Sequence, residues 1–232
     1  MTQAIILVGG LGTRLKSLYP DRPKALVPIL GRPFIERQIA WLHAQGVASV
    51  HLAAGYKAHM LADWARDWKT APVSVSVSVE TQPLGTAGGL KFIEQYILGD
   101  IFLVLNGDSL LPRLDIQAML RAHKEAGAVA TDAITKIEQA GRYGTVEFDT
   151  FNRLISFLEK TDRIGGWVNG GVYAMNRKLL AHIESGKNLS LETDTFPALA
   201  KAGEIFVFPC DPPLLDMGTP DGINAMEKFL LA

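Results

Sequence analysis

"AIILVGGLGTRLKSLYPDRPKALVPI" (residues 4–29) opens as a buried strand and then runs into a long loop of glycines, prolines and basic residues. Ala4-Ile5-Ile6-Leu7-Val8 is a short apolar run ended by glycine, the pattern of a parallel strand covered on both faces. Gly9, Gly10 and Gly12 have no Cβ, so the backbone there can take positive φ and aim N–H groups at a ligand at close range. Such a concavity suits an anion. The P-loop pattern G-x-x-x-x-G-K-[ST] is absent, and the dinucleotide fingerprint would need a third glycine where Leu15 stands. What remains is a glycine nest with Arg14 beside it and Lys24 ten residues on, which suits phosphates spread along a nucleotide. A solvated surface loop explains the same glycines, so the rest of the chain has to separate the two.

Working outward, "GRPFIERQIAWLHAQG" has apolar residues at helical spacing with Pro33 near its start and Gly46 at its end. "SVHLAA" reads as the next strand and "KAHMLADWARDW" as the next helix. "VSVSVSV" (residues 73–79) alternates strictly, which predicts a half-exposed strand with valines on one face and serines on the other. "TAGGLKFIEQYI" reads as a helix, "IFLVLNGD" as a buried strand entering a turn and "LDIQAMLRAHKEAG" as a helix. This β-α alternation predicts a parallel sheet with helices on both faces and ligands at the carboxyl ends of its strands. In the second half, "GTVEFD", "RLISFLE" and "GWVNGGVYAM" follow closely, predicting an antiparallel or mixed extension. Two helices close the chain, and Thr219 and Pro220 stand as N-cap and first residue of the last.

The chain has 232 residues, enough for one large α/β domain. Its 23 Lys+Arg and 24 Asp+Glu leave a formal charge of −1, which offers no bulk attraction to nucleic acid or an anionic membrane. The one cysteine, Cys210, excludes an internal disulfide framework and fits a reducing compartment. With neither an apolar run of spanning length nor a basic, cleavable leader, a cytoplasmic protein is expected.

The polar groups fall on this scaffold at one edge. "IFLVL" delivers Asn106-Gly107-Asp108 at the same end of the sheet as the glycine loop. Asn-Gly between apolar runs is also a hairpin signal, although Pro112 and the helical spacing beyond it argue against an immediate returning strand. On the other reading, Asp108 offers a carboxylate where Mg²⁺ is wanted, an ion that takes one or two protein carboxylates and fills its octahedron with phosphate oxygens and water. Asp216 in "LLDMGTP" is a candidate second ligand, although alone it would be a cap or turn residue. "QPLGTAGG" (residues 82–89) is a second glycine-rich loop, either a turn whose Thr86 caps the next helix or a small-residue wall for a flat base. Glu159-Lys160 and Asn169-Gly170-Gly171 are individually explained by an exposed charge pair and a strand bulge, though a glycine pair within a strand also permits close ligand approach. His43, His51, His59, His123 and His182 have no metal-ligand spacing, and Cys210 has no context that would activate it.

Taken in order, "GGLGTRL" with "RPKAL", "QPLGTAGG", "NGD", "YGTV", "LEK", "NGGVY" and "DMGTP" resemble the sugar-1-phosphate nucleotidyltransferases across nearly the whole chain. The compact length, "RYGTV", "SFLEK" and "VNGGVY" are most similar to the heptose 1-phosphate guanylyltransferase branch. The resemblance implies a Rossmann-like three-layer α/β/α fold with a mostly parallel mixed central sheet. Residues 1–232 would form one domain, 1–127 mainly holding nucleotide and 128–232 mainly sugar phosphate. It places Leu7, Gly9, Gly10, Gly12, Thr13 and Arg14 on the nucleotide, with Arg14 on the leaving pyrophosphate. Lys24 would sit on the α-phosphate and the incoming sugar phosphate; Gln82, Gly85 and Thr86 would face the base. Asp108 and Asp216 would bind Mg²⁺, and Gly144, Glu159, Lys160 and Asn169 the sugar 1-phosphate. Arg14, Lys24 and Asp108 are thus the expected catalytic residues. Two departures, "PLL" before Asp216 and Ser109 after the "NGD", touch the fit of the sugar more than the chemistry.

The implied reaction is attack of a sugar 1-phosphate oxygen on the α-phosphorus of a nucleoside triphosphate, with loss of pyrophosphate. Gly85, where related uridylyltransferases tend to carry an acid, points to a purine, hence GTP. The expected acceptor is D-glycero-α-D-manno-heptose 1-phosphate. Mannose 1-phosphate with GTP and N-acetylmuramic acid 1-phosphate with UTP are the alternatives. Two rivals of other classes are a nucleotide-sugar-dependent glycosyltransferase, which has no use for Arg14 and Lys24 on a pyrophosphate, and a non-catalytic nucleotide-sugar-binding regulator. No nucleic-acid or membrane partner is expected, and a homo-oligomer is left open.

Overall fold

The structure, a computed structural model, describes residues 2–15, 17–68, 73–138, 145–158 and 165–232. Strand β1 (Gln3–Val8) is the apolar run of the opening stretch, and its loop leads through two short pairing segments, β2 (Pro28–Ile29) and β3 (Arg32–Pro33), into helix α1 (Phe34–Ala44). Then come β4 (Ser49–Ala54), α2 (Ala58–Asp67), β5 (Ser74–Val79), α3 (Gly85–Phe92) and β6 (Ile101–Asn106). After the two-residue β7 (Ser109–Leu110) follow α4 (Ile116–Ala126), β8 (Ala130–Ile137), β9 (Thr145–Phe148), β10 (Leu154–Leu158) and the long β11 (Gly166–Asn176). The chain closes with α5 (Phe196–Lys201), β12 (Ile205–Cys210), β13 (Leu215–Asp216) and α6 (Pro220–Leu231).

Among the described residues these strands build one nine-stranded mixed sheet, running β10-β9-β11-β6-β1-β4-β5, with β8 also paired to β11 and β12 paired to β8. The β6-β1-β4-β5 half is parallel throughout, with Ala4 opposite Val50 on one side and Leu103 on the other. β11 runs antiparallel to β6 and starts the expected antiparallel extension. The three-layer expectation holds because alternate residues of β1 feed opposite cores. Ala4, Ile6 and Val8 pack with Ile35, Ile39 and Leu42 of α1 on one face. Ile5 packs on the other with Ala87 and Leu90 of α3 and Phe196 of α5. α4 shows the local logic: Asp115 Oδ1 accepts from Ala118 N at 2.8 Å, Ile116, Met119, Leu120 and His123 form the buried stripe, and Gly127 at φ +61° ends it.

One detail departs from the expectation and another bears it out. The serines of β5 do not simply face water, because Ser76 and Ser78 Oγ lie 2.8 and 3.0 Å from Nδ1 and Nε2 of buried His51. The Asn106-Gly107 turn does not return its strand onto β6. Instead β7 pairs antiparallel with β13, placing Ser109 opposite Asp216.

Candidate functional site

A cleft of about 740 Å³ opens at the carboxyl ends of β1, β4 and β6. It is lined by the glycine loop, Glu80 to Gln82, the start of α3 and Asn106 to Asp108, and from the second half of the chain by Asn188, Glu192 and Gly218. The expected Leu7, Gly9, Gly10, Gly12, Thr13, Arg14, Lys24, Gln82, Gly85, Thr86 and Asp108 all line it. Packing gives no reason for glycine at position 10, since a Cβ there would meet no atom within 4 Å. Gly107 is required for a different reason: its N–H donates to Leu7 O at 3.0 Å, and a Cβ would stand 2.7 Å from that oxygen.

The charged centre forms around Gly218. Lys24 Nζ is ion-paired with Asp108 Oδ2, and the Lys24 stem packs on Gly12, which sits at φ +58°. A Cβ at Gly218 would lie 3.2 Å from Lys24 Nζ, 3.2 Å from Arg14 Nη2 and 2.8 Å from Asp216 Oδ1, so three of the expected charged groups converge on that one glycine. Gly218 N donates to Asp216 Oδ1 at 2.7 Å, and Met217 N to Asp108 O at 2.9 Å. The β7–β13 pairing therefore brings both aspartates into the centre that Lys24 shares. Beneath it, Leu15, Val27, Leu110, Leu215, Met217 and Ile223 form a separate apolar cluster. The Thr219 cap, accepting from Gly222 N at 3.2 Å, starts α6 directly behind the centre.

The far end of the cleft holds a residue that the sequence reading missed. Glu80, just beyond β5, reaches under the glycine loop: a Cβ on Gly9 would stand 2.8 Å from Glu80 Oε1, and one on Gly55 would collide with it. Burial raises the Glu80 carboxyl pKa, with the Leu84 amide working against the rise. Glu80 ends an alternating strand whose pattern accounts for every residue up to it, so only the preceding glycines Gly9 and Gly55 hinted at a side chain needing their space.

"QPLGTAGG" is shaped by the chain that crosses it. Gly85 takes φ +70°, and a Cβ there would strike the Leu189 carbonyl; one on Gly88 would strike Lys187 O. The space a Cβ at Gly85 would take is thus filled by residues 188–189, although Gly85 itself lines the cleft. Thr86 does not cap α3 either: Leu84 is the N-cap, and Thr86 Oγ1 accepts from Leu191 N at 2.8 Å. Ala87 N and Leu189 N complete this strap by donating to Leu189 O and Leu84 O, both at 2.9 Å.

Of the four expected sugar-phosphate residues, Gly144, Glu159 and Lys160 lie outside the described residues. Asn169 sits at the bulge of β11, where the register to β8 shifts between Asn169 and Tyr173. Its Nδ2 donates to Tyr173 Oη at 2.6 Å and its Oδ1 accepts from Gly171 N at 2.7 Å. Gly170 and Gly171 are needed for close approach to protein: Cβ atoms there would stand 2.6 Å from Ala133 O and 2.7 Å from Ser109 Oγ. His51 and His123 are buried, and burial lowers both to about 4. Cys210 is raised to about 11, chiefly by burial, which disfavours the thiolate. Among the described residues no group of three or more His, Cys, Asp or Glu gathers into a metal cage, and no helix is long and apolar enough to cross a membrane.

A sheet that binds at its strand ends, with a glycine loop and paired Arg and Lys facing two aspartates, is the architecture of a nucleotide-handling α/β protein. The chain belongs to the nucleotidyl transferase family, whose model matches residues 3–232. It is 35% identical over 235 residues to mannose-1-phosphate guanylyltransferase 1 of Arabidopsis thaliana, covering 98% of this chain and 64% of that one. It thus spans a little under two thirds of that relative. The crystal structure of HddC from Yersinia pseudotuberculosis superposes with a TM-score of 0.89 at 30% identity, covering 99% of this chain and 100% of that one. The same protein complexed with GMP-PN gives 0.88 at 32% identity, with the same coverage.

Proposed function

We propose that the protein transfers a guanylyl group from GTP to a sugar 1-phosphate. The observation that carries this is the convergence of Arg14, Lys24 and Asp216 on Gly218, with Asp108 paired to Lys24, at the mouth of the glycine loop. In the reaction an oxygen of the acceptor phosphate bonds to the α-phosphorus and the bond to the bridging oxygen breaks, its electron pair leaving with pyrophosphate. Two polyanions must meet, so positioning and charge neutralisation are the main tasks. On this reading Arg14 stabilises the leaving group and Lys24 the transferring phosphate. No side-chain nucleophile is required, because the acceptor phosphate is already ionised at neutral pH.

Asp108 and Asp216 suit Mg²⁺, a hard cation that takes few protein carboxylates. Among the described residues Asp108 Oδ1 and Asp216 Oδ2 have no hydrogen-bond partner, which leaves an oxygen of each for such an ion. When bound, Mg²⁺ would neutralise phosphate charge and polarise phosphoryl oxygens.

Guanine is supported by Glu80. Adjacent N1–H and N2–H donors match a carboxylate bidentately, whereas uracil presents one N–H flanked by two carbonyl oxygens. The GMP-PN complex of HddC is consistent with this choice. For the acceptor we take D-glycero-α-D-manno-heptose 1-phosphate from the motif resemblance, with mannose 1-phosphate, named in the Arabidopsis relative, as second reading. The test is pyrophosphate release over GTP, UTP, ATP and dTTP against heptose, mannose, glucose and N-acetylmuramic acid 1-phosphates. GTP with a manno-configured acceptor is expected, and Glu80→Gln should shrink the preference for GTP over UTP by roughly 10-fold or more. Preference for UTP with an amino-sugar phosphate overturns the guanylyl assignment; release with no pair overturns the transferase itself.

A further inference from the structure

Glu192 is a third carboxylate of the cleft beside Glu80 and Asp108, and nothing in the phosphate chemistry uses it. It stands on a single helical turn, Leu191–Thr195, at the end of the strap over α3. Its Oε1 accepts from Tyr173 Oη at 2.8 Å, and its Oε2 from Ser190 Oγ at 2.9 Å and Thr86 Oγ1 at 3.5 Å. A carboxylate has about four acceptor positions, so three hydroxyls fix this one in place and leave a position on a side chain that lines the cleft. A further ligand there must bring a donor. A phosphate would be repelled, whereas a hydroxyl is matched.

The support behind Glu192 is buried. Tyr173 is fully enclosed and also accepts from Asn169 Nδ2, so the two groups are linked through one phenol. Asp132, opposite Tyr173 in the β8–β11 ladder, is 0% exposed, and among the described residues neither of its oxygens has a hydrogen-bond partner. Burial, and secondarily the Glu192 carboxylate, push the Asp132 carboxyl well above its usual range. The Tyr173 hydroxyl donates to Glu192 and not to Asp132.

The position along the sheet separates the two sources of hydroxyls. Glu80 follows β5, the edge strand beyond β4, whereas Tyr173 and Asn169 belong to β11, on the opposite side of β6 from β1. A nucleoside lying toward Glu80 puts its ribose on that side of the phosphates, and the acceptor sugar on the β11 side.

We propose that Glu192 is a specificity-determining residue for the acceptor: its carboxylate takes a hydrogen bond from a ring hydroxyl of the sugar 1-phosphate, with Tyr173 as the positioning residue that aims it. This rests on the nucleotidyl-transfer reading of the cleft. The experiment pairs enzyme and substrate deletions, measuring pyrophosphate release by wild type, Glu192→Ala, Glu192→Gln and Tyr173→Phe with mannose 1-phosphate and its 2-, 3-, 4- and 6-deoxy analogues, and with GTP and its 2′- and 3′-deoxy forms. Glu192→Ala should lose roughly 10- to 100-fold in kcat/KM for the acceptor, with GTP affinity within about twofold of wild type. One deoxy sugar should cost the wild type a similar factor and cost Glu192→Ala nothing further. Glu192→Gln, which keeps the acceptor oxygen and the fold, should fall between. Tyr173→Phe should raise the acceptor KM more than it lowers kcat and weaken the same coupling. Equal deoxy-sugar losses in wild type and Glu192→Ala overturn the proposal, as does coupling to a deoxyribose form, which would put ribose at Glu192. Wild type that releases no pyrophosphate with any sugar phosphate overturns instead the reading on which the proposal rests.

Discussion

Gly218→Ala tests the charged centre without changing any charge. Gly218 is not among the positive-φ glycines, so alanine is compatible with the backbone. The added Cβ would sit 2.8 Å from Asp216 Oδ1 and 3.2 Å from both Arg14 Nη2 and Lys24 Nζ. To restore ordinary contact at 3.4 Å, Oδ1 must retreat by about 0.6 Å and the two cations by about 0.2 Å each, the differences from those separations. The retreat bends the 2.7 Å bond from Gly218 N and displaces a metal-ligand candidate against the transferring phosphate. Misplacement approaching 1 Å in a positioning site costs about 10²-fold, or roughly 2.7 kcal/mol of transition-state stabilisation. The expected result is a kcat for pyrophosphate release lowered by about that factor, with a urea midpoint near wild type. A correctly folded variant within threefold of the wild-type kcat refutes the assignment of the reacting phosphates to this point.

Asp108→Asn should lower kcat by on the order of 10²-fold or more, because it removes both the partner of Lys24 and a metal oxygen; near-normal turnover of folded protein rejects the metal role. Arg14→Ala should reduce kcat as well as raise the KM for GTP, since its contact strengthens as charge gathers on pyrophosphate, and a change confined to KM would make Arg14 a binding residue only. The buried Asp132 predicts a stability signature. Its folded pKa is raised, so the folded chain keeps a proton that the unfolded chain releases above pH 3.8. Stability therefore falls as pH rises beyond that value, by about 1.4 kcal/mol per unit until the folded carboxyl ionises. Asp132→Asn should abolish this slope, so its advantage in urea titrations should widen from pH 4 toward pH 7. Parallel curves would show that Asp132 is ionised in the fold.

The first half of the molecule was legible because its periodicities are local. β1, α1, β4 and α4 follow from apolar spacing and from caps such as Asp115, and the glycine loop with Arg14, Lys24 and Asp108 falls at one sheet edge once the strands are parallel. The pairing of Asp108 with Asp216 was legible only as a guess, since a two-residue ladder between β7 and β13 leaves no pattern in composition. Glu80, Asn188 and Glu192 were not legible. Each is an ordinary polar residue beside a strand or turn, and each becomes informative only when distant chain packs against it. Gly85 shows the converse, because its small size invited a reading in terms of ligand while the Leu189 carbonyl was the neighbour that required it.

That crossing of residues 187–191 over α3 sets the unit in which this scaffold can be re-engineered. A donor loop grafted in place of "QPLGTAGG" inherits the backbone of "KNLSL" as its outer mould: a side chain at position 85 meets the Leu189 carbonyl, which the Ala87 and Gly88 amides hold, and one at position 88 meets the Lys187 carbonyl. The two segments lie about a hundred residues apart in the chain, yet they form one exchangeable module. Chimeras that swap residues 82–89 alone should misfold at this junction, whereas those that carry residues 187–192 with them should keep it intact.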